Sequence, residues 1–146
     1  MQSQIEKPIQ TLVVRQVNPI HIHLIWGKIE EMLRRGLEHS QNEYNVDQLK
    51  MMIVEGKHIL LVAEDGERLW GACTIAFENY PNERIAFMSC IGGKFIATQN
   101  CWEQLCDWIK LHGGSRIRGY AHPSVARLWH QRFGVETTYY VVDKKL

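Results

Sequence analysis

No run of apolar residues in this chain approaches the roughly 18 that a membrane-crossing helix needs, and the sequence reads as water-soluble. Its first ten residues, MQSQIEKPIQ, lack the apolar centre of a secretory signal, so an intracellular, cytoplasmic protein is expected. There is no internal repeat, no linker and no low-complexity segment. A length of 146 residues then suits one domain, 1–146, with a sizeable core and a loose arm over residues 1–9. Net charge is almost absent, at +1. Cys73, Cys90, Cys101 and Cys106 lie inside predicted strands or a helix, which favours buried free thiols over a disulfide framework. Cys101 and Cys106 have no second pair at zinc spacing. His21 and His23 stand two apart on a predicted helix, facing different ways. No metal site is expected.

What is present is an ordinary globular composition, 45% hydrophobic and 23% charged. The stretch from Glu83 to Val135 organises it. IAFMSCI carries no charge, as a strand buried on both faces would not. Trp102, Leu105, Cys106 and Ile109 then make an apolar stripe at helical spacing, stopped by Gly113-Gly114. RIRGYAH reads as a second strand over 116–122, parallel to the first through a single helical crossover. Val125, Leu128, Trp129 and Phe133 mark a short amphipathic helix closed by Gly134. In open α/β sheets ligands bind beyond the carboxyl ends of such strands.

The rest of the chain completes the order. TLVVRQV (11–17) is strand-like. Asn18-Pro19 opens a helix with Ile22, Ile25, Trp26, Ile29 and Leu33 on its buried face. Asn45 or Asp47 starts another, which ends at Gly56. HILLVAE (58–64) and RLWGACTIAFENY (68–80) are strands joined by a turn at Asp65-Gly66, with Gly71 as a bulge or close-approach point. VETTYYVVD (135–143) is expected to close the sheet. The fold class is α/β, a mixed and mostly antiparallel sheet in the order β-α-α-β-β-β-α-β-α-β.

Residues 110–146 hold seven basic side chains against two acidic, a local +5 that leaves −4 elsewhere. Such a basic third serves a phosphate ligand or nucleic acid, or is a solvated face. Tyr120 and His122 share one face of the 116–122 strand, to line a cleft or to pack the sheet. The five tryptophans read as core and interface; an exposed one would mark a partner surface.

This order resembles the GCN5-related N-acetyltransferase (GNAT) superfamily over nearly the whole chain. The closest sequence echo is AHPSVARLWHQRFGVETTYYVV, similar to the family pattern Asn-x-x-Ala-x-x-Leu-Tyr-x-Lys-x-Gly-Phe. Ala126, Arg132 and Gly134 match or nearly match it. Trp129 replaces the family Leu, His130 the Tyr, Pro123 the Asn and Val135 the Phe. The family loop Gln/Arg-x-x-Gly-x-Gly/Ala is represented by IGGKFIATQNCW, without the spaced glycines.

The resemblance implies an acyl-CoA-dependent N-acetyltransferase using acetyl-CoA and a small-molecule or peptide amine. It places pantetheine against Cys90, Ile91 and Gly92. It places the pyrophosphate at Gly93, Lys94 and the N–H groups of Thr98, Gln99 and Asn100, with Thr98 or Asn100 as helix cap. Arg127 or Arg132 would reach the 3′-phosphate. His130 would be the general acid and Ser89 a water ligand, with Glu83 a lesser candidate base. The alternative it implies is a non-catalytic protein on the same scaffold, a binding or structural module such as a bacteriophage virion component contacting other phage structural proteins.

Overall fold

The periodicity of residues 22–37 sets the main helix. In the computed structural model, which describes residues 12–96 and 98–146, Ile22, Trp26, Ile29, Leu33 and Leu37 form the buried stripe of α1 (Ile22–Leu37). The expected arm at 1–9 and Ala97 lie outside the described residues. Asn18 and Pro19 do not open α1 itself. They open a 3-10 turn (Pro19–His21), where Asn18 accepts from the Ile20 N–H at 3.1 Å, and α1 begins only after it. Asn45 starts α2 (Val46–Val54) with a reciprocal capping box to Gln48.

Five strands follow one another across the sheet: β1 (Val13–Gln16), β2 (Ile59–Glu64), β3 (Leu69–Asn79), β4 (Arg84–Gly93) and β5 (Arg116–Arg118). The first three neighbour pairs are antiparallel and β4–β5 is parallel, as the single crossover through α3 (Gln99–Leu111) requires. Leu60, Val62, Ala72 and Cys90 face α1 and α2 in one core layer. Leu61, Cys73, Ile75, Ala86 and Met88 face the residues of α3 in the other. The alternation along β2 and β3 therefore feeds two cores, one on each face.

Three further expectations need correction. The buried stripe of α3 is Cys101, Leu105 and Ile109, while Trp102 and Cys106 are only half-buried. The strand expected over 116–122 stops at Arg118, so Tyr120 does not lie on it and His122 instead caps α4 (Pro123–Phe133). The closing strand expected at 135–143 does not form. Tyr139, Tyr140 and Val142 are 75%, 90% and 87% exposed there. Their β-propensity reflects fit to a half-buried pleated surface; here the Tyr139 ring approaches the sheet, 5.8 Å from the Arg118 guanidinium of β5, and no ladder forms. No α4 residue is buried; the helix docks by stacking Phe133 on Trp102 at 4.4 Å and ends at Gly134, in the left-handed region at φ 72°. All four cysteines are free thiols, three of them buried and Cys106 half-buried.

Candidate active site

β4 changes character halfway. Ile75 pairs with Met88 and Thr74 with Cys90, so Ser89 has no opposite number in β3 and is the extra residue of a β-bulge. On its other side β4 pairs with β5 only from Ile85 to Phe87. Beyond Phe87 no strand runs along that side among the described residues, so those main-chain groups of Met88 to Gly93 that face away from β3 have no strand partner. The strands part beside Gly119, where a β-carbon would meet the Trp129 indole at 3.7 Å and the Met88 carbonyl at 3.8 Å.

Four side chains converge on the bulge. Ser89 Oγ lies 2.7 Å from Thr74 Oγ1, 2.7 Å from His58 Nδ1 and 3.2 Å from the Thr74 carbonyl. The Tyr44 hydroxyl donates to the Ser89 carbonyl at 3.2 Å. Its ring meets the His58 imidazole edge-on, with centroids 5.8 Å apart. Local structure explains the convergence. Gly56 adopts a left-handed φ of 79° after α2, and the N–H groups of Lys57 and His58 donate to the Met52 carbonyl at 2.8 and 3.2 Å. His58 therefore enters β2 two residues before Leu60, on the same face as Leu60 and Val62. Thr74 shares that face with Ala72 and is completely buried.

Burial sets the protonation of this cluster. It lowers the His58 pKa below the ordinary 6.5, which keeps the imidazole neutral at pH 7. It raises that of Tyr44, against the opposing effect of the hydrogen bond to Ser89. The Cys90 thiol is pushed up to about 12, so it is no thiolate nucleophile.

The residues expected to hold a CoA group are divided. Cys90 to Lys94 are consecutive at the end of β4, and Thr98 to Asn100 start α3 just beyond. The end of β4 is pressed against α1: a β-carbon on Gly36 would overlap the Ile91 carbonyl and come within 2.9 Å of Cys90 Sγ. Gly93 turns the chain at φ 64°, and a β-carbon there would stand 2.6 Å from the Trp70 carbonyl. The exposed Lys94 ammonium lies 5.4 Å from the Trp70 ring centre. Thr98 caps α3, accepting from the Cys101 N–H at 3.1 Å, while the Asn100 side chain turns to the Leu12 carbonyl at 3.5 Å. Gln99 is exposed. Phe95 is fully buried in the core layer under α3.

The α4 residues stand on a separate element. Arg127, His130 and Arg132 are exposed. His130 Nδ1 lies 3.1 Å from the Val135 carbonyl, an acceptor, so Nδ1 is the donor of that bond. Arg132 lies against the Phe133 ring, 5.0 Å from its centre. Glu83 is held by Arg116 at 2.7 Å, ahead of β4 and away from the bulge. None of the five tryptophans is exposed. Among the described residues no three His, Cys, Asp or Glu side chains are placed to share a metal ion, and no helix is long and apolar enough to cross a membrane. Two shallow surface depressions, one between β1 and α1 around His21 and one beside α2 around Met51, do not include Ser89.

The sequence reading named Ser89 but missed His58 and Tyr44. His58 had a signal: two residues before Leu60 in a strand, it shares the core-facing side. Tyr44 had none, since it lies in a polar connection whose path only packing determines.

The sequence matches no protein-family model. It matches no curated protein either. Similar solved structures include AAC(6')-Iy in complex with the bisubstrate analogue CoA-S-monomethyl-acetylneamine, at 17% identity and TM-score 0.65, covering 94% of this chain and 99% of that one. A predicted acetyltransferase with acetyl-CoA from Clostridium acetobutylicum is 14% identical, with TM-score 0.61 over 92% of this chain and 96% of that one. Ribosomal-protein-alanine N-acetyltransferase from Brucella melitensis biovar Abortus 2308 is 12% identical, with TM-score 0.67 over 93% and 99% of the two chains. The likeness lends no support to a bacteriophage source or a place in a virion. At these identities it establishes the architecture: the chain has the mixed-sheet fold of the GNAT acetyltransferases.

Proposed function

We propose that this chain is an acyl-CoA-dependent N-acetyltransferase whose acceptor is a small-molecule or peptide amine. The observation that supports it is the half-paired β4: from Met88 to Gly93 its main chain has no strand on the β5 side. Such an edge suits an extended, amide-bearing ligand, which can pair with it as an added strand would. On this reading the main chain of Cys90, Ile91 and Gly92 holds the pantetheine arm. The pyrophosphate end falls to Gly93, Lys94 and the N–H groups of Thr98, Gln99 and Asn100. Gln99 and Asn100 are in the first turn of α3, where N–H groups lack helical acceptors and the helix dipole favours negative charge. Arg127 or Arg132 neutralises the 3′-phosphate. Acetyl-CoA supplies a thioester whose acyl carbon accepts the amine lone pair. His130 Nε2 is the proton donor of this scheme, and Ser89 positions water beside the bulge.

A second reading, a non-catalytic binding module, is favoured by two observations. The turn freedom of Gly93 is used in its close approach to Trp70, and Thr98 spends its hydroxyl on capping α3. Calorimetric titration with acetyl-CoA and with CoA separates the two. The enzyme reading expects a dissociation constant below about 100 µM, more than roughly 5 kcal/mol of binding, weakened by Lys94→Glu. Gly93→Val is unsuitable, because strain at its positive φ and the clash with Trp70 would disturb the fold as well. No heat and no thermal shift at millimolar ligand would make the non-catalytic module the better account.

A further inference from the structure

Acyl transfer to an amine needs a group that removes the surplus proton from nitrogen, and the scheme above leaves that group unnamed. We infer that His58 and Ser89 form a proton relay for the incoming amine, with Thr74 and Tyr44 as positioning residues; the inference rests on the acyl-transfer reading. In the relay Thr74 Oγ1–H donates to Ser89 Oγ at 2.7 Å, and Ser89 Oγ–H turns to His58 Nδ1 at 2.7 Å rather than to its other acceptor, the Thr74 carbonyl at 3.2 Å. That direction uses every hydroxyl proton once and leaves the imidazole proton on Nε2. Tyr44 fixes the Ser89 carbonyl by its hydroxyl and the imidazole by its ring edge. A hydroxyl in contact with a base that is itself held by a third group is the arrangement that moves protons at neutral pH.

The placement fits the chemistry. Ser89 is the bulge residue two positions beyond the last β4–β5 pair, at the point where the unpaired β4 edge begins. As the amine nitrogen bonds to the acyl carbon, the carbon–sulfur bond breaks and sulfur keeps its electron pair. The surplus proton on nitrogen passes through the water that Ser89 positions to Ser89 Oγ, while the Ser89 proton passes to His58 Nδ1. The resulting imidazolium releases the proton to water, and nothing is oxidised or reduced.

The surroundings leave His58 as the group that titrates. Tyr44 faces it from the connection before α2, and Cys90 follows Ser89 on β4; burial keeps both protonated. Glu43, next to Tyr44, accepts from the Gln41 N–H at 3.0 Å at the surface, and Lys57 pairs with Glu55 at 3.0 Å. Thr74 and Met52, the remaining neighbours by hydrogen bond, carry no charge.

The test has three parts. Nitrogen-15 NMR of the imidazoles of the whole protein should show His58 neutral at pH 7, protonated on Nε2, and titrating below 6.5. A positively charged His58 at pH 7, or one protonated on Nδ1, overturns the relay whatever the turnover. Acetyl-CoA binding to the unmodified protein comes next; its absence overturns the acyl-transfer reading and the relay with it. With binding present, turnover is followed by thiol release from acetyl-CoA with a panel of polyamine, amino-acid and aminoglycoside acceptors. His58→Gln should lower kcat at pH 7 by about 10²-fold, leave acetyl-CoA affinity within about two-fold, and remove the acid limb of the pH profile. Ser89→Ala should lower kcat as well and Ser89→Thr should restore much of it. Should acetyl-CoA bind while His58→Gln keeps its kcat and acid limb, the relay is wrong and the acyl-transfer reading stands. Circular dichroism and thermal midpoints confirm that the variants are folded, and if His58→Gln is not, His58→Asn takes its place.

Discussion

The region from β1 to α3 and the segment from Gly119 to Leu146 treat apolar residues in opposite ways. In the first, Ile29, Leu33, Leu49 and Ile53 are wholly buried in one core layer, and Leu61, Ile75, Phe95 and Leu105 in the other. In the second, Leu128, Val141 and Val142 are 47%, 63% and 87% exposed, and α4 buries no residue. Both regions carry β-branched and aromatic residues in good supply. The difference is what each has to pack against. A helix stripe over a sheet face gains about 1.5–3 kcal/mol for each large side chain fully buried, whereas the second segment touches the rest through single ring contacts such as Phe133 on Trp102 and Tyr120 on Phe87 and buries no large side chain fully.

The largest effect that would sharpen this contrast is in the α1 core. Leu33→Ala should cost about 2–5 kcal/mol of stability in urea unfolding, and Leu128→Ala on α4 less than about 0.5 kcal/mol. Equal costs would mean that α4 is as firmly packed as α1. A smaller effect is expected at His130. In acyl transfer from acetyl-CoA, His130→Ala should lose about ten-fold in kcat with little change in KM, at the low end of acid–base catalysis. Unchanged turnover would remove α4 from the chemistry and leave it a scaffold piece.

Next comes pH. The folded pKa of His58 lies below its ordinary 6.5, so the unfolded chain binds more protons in the window between the two values. The stability tied to the neutral imidazole is fully present above about pH 6.5 and is lost as pH falls through the folded value. His58→Gln should flatten that part of the stability curve, and a curve of the same slope would assign it elsewhere. The smallest effects belong to the thiols and the tail. Under native conditions Cys106 should react with a thiol reagent before Cys73, Cys90 and Cys101, and all four should react once the protein is unfolded without reductant. Val142→Ser should shift stability by no more than about 0.5 kcal/mol; a larger loss would show that the tail is covered in solution.

The elements of the first region were legible because their patterns are long and consistent. The α1 stripe, the Asn45 cap, the turn at Asp65-Gly66 and the charge-free centre of β4, residues 85–91, each follow from local rules. At Asp65 the carboxylate accepts from Glu67, Arg68 and the Trp70 indole, which holds its pKa down at about 2. The closing strand was misread because its pattern is real but it forms no ladder with β5, an edge strand only three residues long. The site was half legible. Ser89 was visible as the polar residue of a buried strand, whereas Tyr44 and His58 lie 45 and 31 residues away from it.

By itself, then, the sequence determined the periodic elements, their order and the parallel pairing of β4 with β5, because amphipathic spacing and caps act within a few residues. Only the tertiary structure decided which strands end early, which face His58 presents, and that Tyr44, His58, Thr74 and Ser89 meet. Those outcomes depend on the bulge at Ser89 and on the close seating of Gly36 against β4. A bulge is defined by two strands and a helix seat by two backbones, so no window of residues read along one chain segment contains either.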